Sequence, residues 1–402
     1  MSKEPTTEHD RDARRLTRRD FLGVSAGAAG AAATGGLGAL VTGCASADRR
    51  VTSLAPPRQA TPVERAKAPV GPLPKRTLGR TGLKITAFSM GAIGANVDVF
   101  KAGLDRGVNF IHCAQGYGTL DRVATAIAGR RPRPLLGLKY ERAGAVDWDH
   151  LNRSLEALKV DHVEVLFFPL NTPEAARDRA HLEFFNQVKR QKKARFIGLT
   201  SHSNVAPTLQ AAIAAGFWDV LMPSYPPSPQ ARGALRPVLE QAAKKKLGVV
   251  AMKTIGGIAP NALAEMRTAA AQVLADRTVT TLCKGVLTFE LLDACLGAAT
   301  AKPTRAESTA LREHLVARQG ETCFLCGGCP PCPRGVNIFE VVRDLDYYYA
   351  QTGCPQFARA QYRALPAAQR GGACDDCGEC AAACPHGVNI ARRVRAAELV
   401  LA

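Results

Sequence analysis

Long hydrophobic runs are scarce in this sequence. Its apolar N-terminal stretch, residues 21–43, is rich in Ala and Gly and lacks the dense Leu, Ile and Val content that a stable membrane span of roughly 20 residues needs. Acidic residues are also few, with 35 Asp and Glu against 53 Lys and Arg and a formal charge of +18. Because no nucleic-acid recognition motif accompanies this excess, we assign it to a basic leader and an Arg-rich composition and expect no nucleic-acid partner.

A glycine-rich dinucleotide motif is missing as well. No GxGxxG follows the first predicted strand, which disfavours a doubly wound nucleotide-binding sheet and leaves it as the second choice of fold. The chain does have the size for a large core. Its 402 residues, of which 46% are apolar, are enough for two or three domains.

A duplicated cysteine cassette dominates the C-terminal part of the chain. Both copies end in the same sequence, CPxGVNI, at residues 332–338 and 384–390. Thiolates at two-residue spacing can surround one iron–sulfur cube, and the closing Cys-Pro matches two-cluster ferredoxins, in which the fourth Cys ligates the other cluster. By this rule the ligands form two sets. One cluster is held by Cys323, Cys326, Cys329 and Cys384, and the other by Cys332, Cys374, Cys377 and Cys380.

Two alternatives for the cassette stay open at this point. Four-thiolate zinc sites usually show paired CxxC units with a longer gap between the pairs, and consecutive CxxC units make poor disulfides, although an exported protein permits them. The first copy is one residue shorter than the ferredoxin spacing before Cys332, so the exchange of fourth ligands is open too. The other cysteines are predicted to be buried small residues, apart from Cys44 in the leader. These buried residues are Cys113, Cys283, Cys295 and Cys354.

The leader, residues 1–44, predicts export. TRRDFL at residues 17–22 has the form of a twin-arginine signal, a route that carries proteins already folded with their clusters. LVTGC at residues 40–44 resembles a lipobox, in which Cys44 would be lipidated and hold the protein on a membrane surface. A plain cleavage site is the alternative. Residues 45–74 carry no periodicity and predict a flexible linker, and we expect a periplasmic or membrane-anchored location.

Residues 75–299 predict an α/β fold, a (β/α)8 TIM barrel. Short apolar runs alternate there with amphipathic segments such as residues 231–246, in the size and rhythm of eight strand–helix pairs. The predicted strands are residues 87–90, 108–113, 134–139, 162–168, 195–200, 219–222, 248–252 and 279–282. Residues 300–402 are predicted to form a small helical, ferredoxin-like domain for two [4Fe-4S] clusters, with helices at 339–350 and 391–401 that pack it against the barrel.

Several segments of the barrel resemble the aldo/keto reductases. These are KRTLGRTGL at 75–83, GVNFI at 107–111 with GYG at 116–118, FIGLTS at 196–201, and MK at 252–253 with GG at 256–257. The cysteine-rich tail is similar to the branch of that family with a ferredoxin-type extension. The resemblance covers the whole barrel and implies a site at its C-terminal mouth, with an Asp, Tyr, Lys and His tetrad and NADP(H) as hydride donor.

The implied catalytic tetrad is incomplete. The Tyr position matches Tyr117 as proton donor, and the Lys position matches Lys139, whose charge favours the phenolate. His112 occupies the position of the family's Asp, and Pro169, which has no side-chain donor, occupies that of its His. The alternatives are a strand-end charge in solvent for Lys139 or Lys253, a packed loop aromatic for Tyr117, and a hydrogen-bonded core residue for His112.

The resemblance also implies a nicotinamide site that is altered here. Tyr225 stands where the family stacks an aromatic ring, with a turn aromatic as the alternative, and Ser201 stands where it holds the carboxamide. His202 replaces the usual Asn. Lys284, followed by Gly285, replaces the Arg of the ribose phosphate site as a point charge. NADP(H) is therefore a doubtful cofactor.

We expect an exported oxidoreductase in which the clusters couple electron transfer to a substrate site at the barrel mouth. Its partners would be an unidentified small-molecule substrate and a redox protein or membrane electron carrier. One alternative is an NADPH-dependent carbonyl reductase with auxiliary clusters. Another is a non-catalytic, membrane-tethered electron-transfer protein built on an inactive barrel, because fold alone does not separate these functions. The run at residues 347–349 (YYY) is expected to pack at the core and rim.

Overall fold

The computed structural model describes residues 72–141, 147–380 and 383–402. All of them belong to one compact unit, Pro62–Ala402. The predicted export signal, Cys44 and residues 45–71 of the predicted linker lie outside these ranges. Among the helices in the described ranges, none is long and apolar enough to cross a membrane.

Eight parallel strands close into a barrel, in the spatial order β10-β3-β4-β5-β6-β7-β8-β9. The strands are β3 (Phe88–Gly91), β4 (Phe110–Ala114), β5 (Leu135–Lys139), β6 (Val163–Pro169), β7 (Ala194–Ser201), β8 (Val220–Pro223), β9 (Gly248–Ala251) and β10 (Thr281–Gly285). The predicted TIM barrel is confirmed and the doubly wound sheet is wrong. Each predicted strand overlaps an observed one, with the largest shift at β10, which ends at Gly285.

A short hairpin closes the lower end of the barrel. Its strands, β1 (Lys75–Thr77) and β2 (Lys84–Thr86), pair antiparallel across a 3-10 turn, Gly79–Thr81. Gly79 has a φ of +50°, and a Cβ there would lie 2.3 Å from the backbone nitrogen of Gly248, so only glycine permits this approach. The hairpin places Leu78 in the barrel interior.

Alternate residues of the strands fill the interior, as the two-residue repeat of a strand requires. Phe110 of β4, Phe167 of β6 and Met222 of β8 belong to one buried interior cluster. The same strand faces continue toward the carboxyl ends through His112 and, on β5, Lys139. The lower part of the barrel interior is therefore filled by apolar side chains, and its C-terminal mouth is lined by polar ones.

Nine helices of the described residues surround the barrel. They are α1 (Val97–Asp105), α2 (Leu120–Ile127), α3 (Trp148–Leu158), α4 (Pro173–Arg177), α5 (Ala180–Arg190), α6 (Val205–Ala215), α7 (Pro229–Lys244), α8 (Leu263–Ala275) and α9 (Phe289–Thr300). Side-chain caps satisfy free backbone donors at several helix starts: Asn96 accepts from Asp98 N, and Ser228 accepts from Ala231 N. The predicted helix at residues 231–246 is confirmed as α7, two residues earlier at each end.

The extension adds α10 (Arg305–Ala317), α11 (Ile338–Arg343), α12 (Pro355–Ala364) and α13 (Ile390–Leu401). The helix predicted at 391–401 is confirmed as α13. The single α-helix predicted at 339–350 is wrong in its second half, because the chain continues from α11 as a π-helix, Asp344–Gln351. In this widened coil the neighbouring Tyr347 and Tyr348 are both buried, and such turns occur frequently at functional sites.

Candidate functional site

Three residues predicted as catalytic meet at the barrel mouth. His112 ends the interior face of β4, Tyr117 follows in a 3-10 turn, and Lys139 ends β5. The ring centroids of His112 and Tyr117 are 6.4 Å apart. The Lys139 ammonium lies 4.8 Å from the centre of the Tyr117 ring and 3.0 Å from a carboxylate oxygen of Glu141. Lys139 is thus held over the face of the tyrosine by a carboxylate that the sequence analysis missed, although it lies only two residues further on.

Burial controls the protonation of this group. Desolvation, assisted by the charges of Lys139 and Lys253, lowers the pKa of His112 to about 3, so the imidazole is neutral at ordinary pH. Its Nε2 is buried and has no hydrogen-bond partner among the described residues. Burial, followed by the Glu141 carboxylate, raises the pKa of Tyr117. Tyr117 therefore keeps its proton and is a weak acid in this state.

Lys253 connects the barrel to the extension. It follows β9 with a φ of +59° and is buried, so the alternative of a strand-end charge in solvent is wrong for it. Its ammonium donates a hydrogen bond of 2.8 Å to the Tyr348 hydroxyl and lies 3.8 Å from the centre of the Tyr347 ring. Burial and the neighbouring Arg343 hold the pKa of Lys253 well below its usual range.

Aromatic side chains of the extension cover the mouth of the barrel. We call Tyr347, Tyr348 and Phe357 the aromatic plug. The Phe357 ring lies edge-on to Tyr117 at 5.5 Å and to Tyr348 at 4.8 Å. Gln351, at the end of the π-helix, donates to the backbone oxygens of Ile255 and Ile258 at 2.6 Å each. These contacts confirm the packing role expected for residues 347–349 in the case of Tyr347 and Tyr348, and they cover part of the predicted catalytic group.

The residues predicted to bind nicotinamide are engaged within the chain. Ser201 donates to the Ser203 backbone oxygen at 3.2 Å. The Tyr225 hydroxyl donates to Asp276 at 2.8 Å, and a guanidinium, that of Arg232, lies 5.5 Å from the ring centre. The ammonium of Lys284 is buried beside Tyr347, at 5.7 Å from its ring centre.

Gly285, next to Lys284, provides a backbone acceptor. Its carbonyl oxygen accepts a bond of 3.0 Å from the Lys284 ammonium. Lys284 and Gly285 thus contact each other. Ser201 and Tyr225 are instead hydrogen-bonded to Ser203 and Asp276.

The first cysteine cassette is seated on two loops of the barrel mouth. A Cβ at Gly256 would lie 2.8 Å from the backbone oxygen of Phe324, and one at Gly257 would lie 2.8 Å from the Phe324 ring. Gly327 similarly packs against the backbone of Ser203, where a Cβ would lie 3.5 Å from Cα. The two glycines after Lys253 thus make room for the extension.

One cavity gathers four of the predicted ligands, which we call the inner set. They are Cys323, Cys326, Cys329 and Cys384. The same cavity is lined by Phe324, Phe339 and Val342. Burial and the neighbouring thiols of Cys326 and Cys384 raise the pKa of Cys329 to about 12. Cys384 from the second cassette has therefore joined three residues of the first, as the ferredoxin rule requires.

The other four predicted ligands, the outer set, include a solvent-exposed cysteine. They are Cys332, Cys374, Cys377 and Cys380. Burial, followed by the thiols of Cys374 and Cys332, raises the pKa of Cys380, so these sulfurs are neighbours in space. Cys377 is exposed. The salt bridges Arg334–Asp375 and Arg395–Asp376 frame this set at the surface.

All cysteines of the described ranges are free thiols, which gives the disulfide alternative no support. Cys113, Cys283, Cys295 and Cys354 are buried as predicted. The inner thiols surround a cavity, and no group of three or more His, Cys, Asp and Glu side chains in the described ranges is arranged to hold a single metal ion.

A carboxylate ties the inner set to the π-helix. Asp346 accepts a bond of 2.7 Å from the backbone nitrogen of Cys323 and lies 3.5 Å from Arg393 of α13. Burial raises the pKa of Asp346, whereas the Cys323 backbone donor and Arg393 lower it. These two partners therefore stabilise the charged carboxylate in its buried position. The element that carries the aromatic plug also positions the first cysteine.

Comparisons with known proteins give similar folds but no match to a family. No family model matches the chain, and no curated protein sequence matches it. Among solved structures, the chain is similar to an aldo-keto reductase from Pseudomonas aeruginosa, with 21% identity over 56% of this chain and 94% of that chain and a TM-score of 0.48. It is also similar to an aldo-keto reductase from Bacillus halodurans in its holo form, with 18% identity, coverage of 61% and 96%, and a TM-score of 0.49.

Proposed function

We propose that the protein is an aldo/keto reductase-like oxidoreductase that holds two [4Fe-4S] clusters and couples electron transfer to chemistry at the barrel mouth. The observation that carries this proposal is the inner set. Four thiols from both cassettes surround one cavity, and that cavity is built against the loops of the barrel mouth.

The inner set fits an iron–sulfur cluster by its donors and its walls. A four-thiolate zinc site needs sulfurs that converge on one ion at about 2.3 Å, whereas thiols spread around a cavity suit a cube of iron and sulfide. The remaining wall includes aromatic and aliphatic side chains, among them Phe324, Phe339 and Val342, which shield part of the thiol surface from water. Such a group, when bound, supplies one-electron transfer.

The residues of the mouth supply a dry environment for protons. Tyr348 and Lys253 share a buried hydrogen bond of 2.8 Å, and the neutral imidazole of His112 has a free buried nitrogen. Lys139 sits beside Tyr117, within reach of the same space. These side chains can hold or move a proton, and the aromatic plug, through Phe357 against Tyr117, limits the access of water to them.

Hydride transfer from NADP(H) is supported less well. The ring and hydroxyl of Tyr225 already have partners in Arg232 and Asp276, and Phe324 occupies the space above Gly256 and Gly257. Pro169 adds no donor for a carbonyl. We therefore expect the purified protein not to quench NADPH fluorescence, and stoichiometric quenching would restore the carbonyl reductase alternative.

A second candidate, a non-catalytic electron carrier, is favoured by the aromatic plug. The plug fills the mouth where a substrate would enter, with Phe357 against Tyr117 at 5.5 Å. The variant Phe357→Ala separates the two functions, because it opens the mouth and leaves every cysteine in place. Faster single-turnover oxidation of the reduced protein by small carbonyl compounds supports the enzyme, whereas unchanged rates with all of them support the carrier.

Cysteine variants test the cluster assignment itself. Cys384→Ser and Cys377→Ser each remove one ligand from a different set, so each should lower the iron content of anaerobically purified protein from about eight atoms to about four. Cys295→Ala is the matched control, since Cys295 is buried outside both sets, and should leave iron unchanged. Full iron retention in both serine variants contradicts the assignment.

We propose export and lipid attachment from sequence motifs alone. The arginine pair at residues 18–19 and Cys44 carry them. Replacing Arg18 and Arg19 by Lys should leave the protein in the cytoplasm, and Cys44→Ser should release it from membranes after export. Fractionation of cells measures both, and unchanged fractionation of either variant rejects the corresponding proposal.

A further inference from the structure

A second cavity lies beside the inner set and plays no part in the function proposed above. We call it the α10 groove. It has a volume of about 460 Å³, within the range of about 300–1,000 Å³ of small-molecule sites. The residues that line it include Arg232, Gln272, Leu311, Arg312, Leu315 and Val316.

One wall of the groove is a face of α10. Leu311 and Leu315 lie on it at the spacing of one helix face, and Val316, the next residue, also lines the groove. The side chain of Val316 is 59% exposed, and with Leu399 it makes up the large hydrophobic side chains that the described residues leave exposed. A hydrocarbon group placed against this wall would therefore remove apolar surface from water.

The rest of the groove offers donors and positive charge. Arg232 and Arg312 line it together with the amides of Gln272 and Gln319, and no acidic side chain of the described residues does. Arg232 is fixed by bonds to the Pro226 backbone oxygen and to Gln272, at 3.2 Å each. The groove is thus arranged for oxygen atoms that accept hydrogen bonds, on a molecule that also has an apolar part.

The groove and the inner cavity share a wall. Phe324 and His386 line both cavities, and their rings are stacked with centroids 4.4 Å apart and an angle of 14° between planes. A flat ring in the groove would be separated from the inner thiols by this stack. A redox-active ligand in this position could exchange electrons with a cluster held by the inner thiols, whereas an inert metabolite could not.

We propose that the α10 groove binds a quinone, with its carbonyl oxygens toward Arg232 and Arg312 and its hydrocarbon tail along Leu311, Leu315 and Val316. The prediction of binding is argued from the groove alone, whereas electron transfer between the quinone and the inner set rests on the proposed function. A quinone combines three properties that suit the groove: a flat ring, acceptor oxygens for the two guanidinium groups, and an apolar tail for the wall on α10.

Calorimetric titration of the anaerobically purified, oxidised protein tests binding without any turnover. Duroquinone is the probe, because its fully substituted ring does not alkylate thiols, and decylubiquinone tests the tail. We expect both to bind, decylubiquinone more tightly because of the wall on α10. Tetramethylbenzoate, which keeps the ring but carries a carboxylate, should bind more weakly than duroquinone.

Val316→Glu is the decisive variant, because it places an anion on the apolar wall at an exposed position that folding does not depend on. It should weaken decylubiquinone binding by about tenfold or more. Leu399→Glu makes the same change at the other exposed apolar side chain and should leave binding unchanged. Arg312→Gln should weaken duroquinone binding and leave the iron content unchanged.

Three results would overturn the proposal. The first is that neither quinone binds. The second is tighter binding of tetramethylbenzoate than of duroquinone, which would make the groove an organic-acid site. The third is equal decylubiquinone affinity for wild type and Val316→Glu, which would place the quinone elsewhere. Iron content measured in the same samples separates these outcomes from a failure of the cluster assignment. If the protein contains no iron but still binds quinone, the groove remains a quinone site and only the proposed electron transfer is rejected.

Discussion

The inner and outer cysteine sets have opposite surroundings. The inner set lines a cavity walled by Phe324, Phe339 and Val342 and built against the barrel loops. The outer set includes the exposed Cys377 and lies among salt bridges at the surface. The molecule therefore has an enclosed side, where apolar walls cover part of the thiols, and an exposed side, which opens to solvent at Cys377.

The largest expected difference between the two sides is in the release of iron. Cys384→Ser should retain only the outer cluster and Cys377→Ser only the inner one. With a strong chelator in excess, we expect the protein that retains the inner cluster to lose iron more slowly, on the order of tenfold, because a local opening must expose the cavity first. Absorbance of the iron–chelator complex gives both rates. Equal rates would mean that the enclosure of the inner set gives no protection.

The pH dependence of stability should separate an enclosed histidine from an exposed one. Burial lowers the pKa of His112 from its ordinary 6.5 to about 3, so the unfolded chain binds a proton in this window and the folded protein does not. Stability is then lost as pH falls from 6.5 toward 3, by up to about 1.4 kcal/mol per pH unit. His112→Gln should remove this contribution from the slope.

Denaturant unfolding at a series of pH values measures the slope. His162→Gln, at a histidine whose side chain is 40% exposed, controls for the loss of a histidine as such. An unchanged slope in His112→Gln would mean that the imidazole is protonated in the folded protein, against the account of a dry barrel mouth.

A smaller effect is expected from matched carboxylates on the two sides. Asp346→Asn removes the charge that accepts from Cys323 N and faces Arg393, and a buried group left with poorer partners costs about 1–3 kcal/mol. Asp375→Asn breaks the exposed contact with Arg334 and should change the free energy of unfolding little, as is usual for surface ion pairs. Urea unfolding compares the two. A larger loss from Asp375→Asn would reverse the assignment of the enclosed side.

The strands of the barrel could be predicted because parallel strands are buried on both faces and therefore appear as apolar runs. The three-residue strands of the hairpin, β1 and β2, are too short to give such a signal. The π-helix was missed because its residues show the same apolar stripe as an α-helix. The bond between Lys253 and Tyr348 ties this coil to the barrel, and the sequence does not specify such a long-range contact.

The candidate site was predictable in its local parts only. The ferredoxin rule, in which the fourth cysteine of each cassette joins the other set, predicted the four cysteines that line the inner cavity. The cover over His112 and Tyr117 was not predictable, because the plug comes from residues far along the chain whose packing partners the sequence does not specify. Glu141 could have been found, since it follows Lys139 by two residues at the carboxyl end of a strand.

The most direct test of the account is the metal content of the full chain isolated without oxygen. Two [4Fe-4S] clusters predict about eight iron atoms and about eight acid-labile sulfides per chain, with no stoichiometric zinc. A protein that carries zinc in place of iron, or that contains neither metal, would contradict the assignment of both cysteine sets.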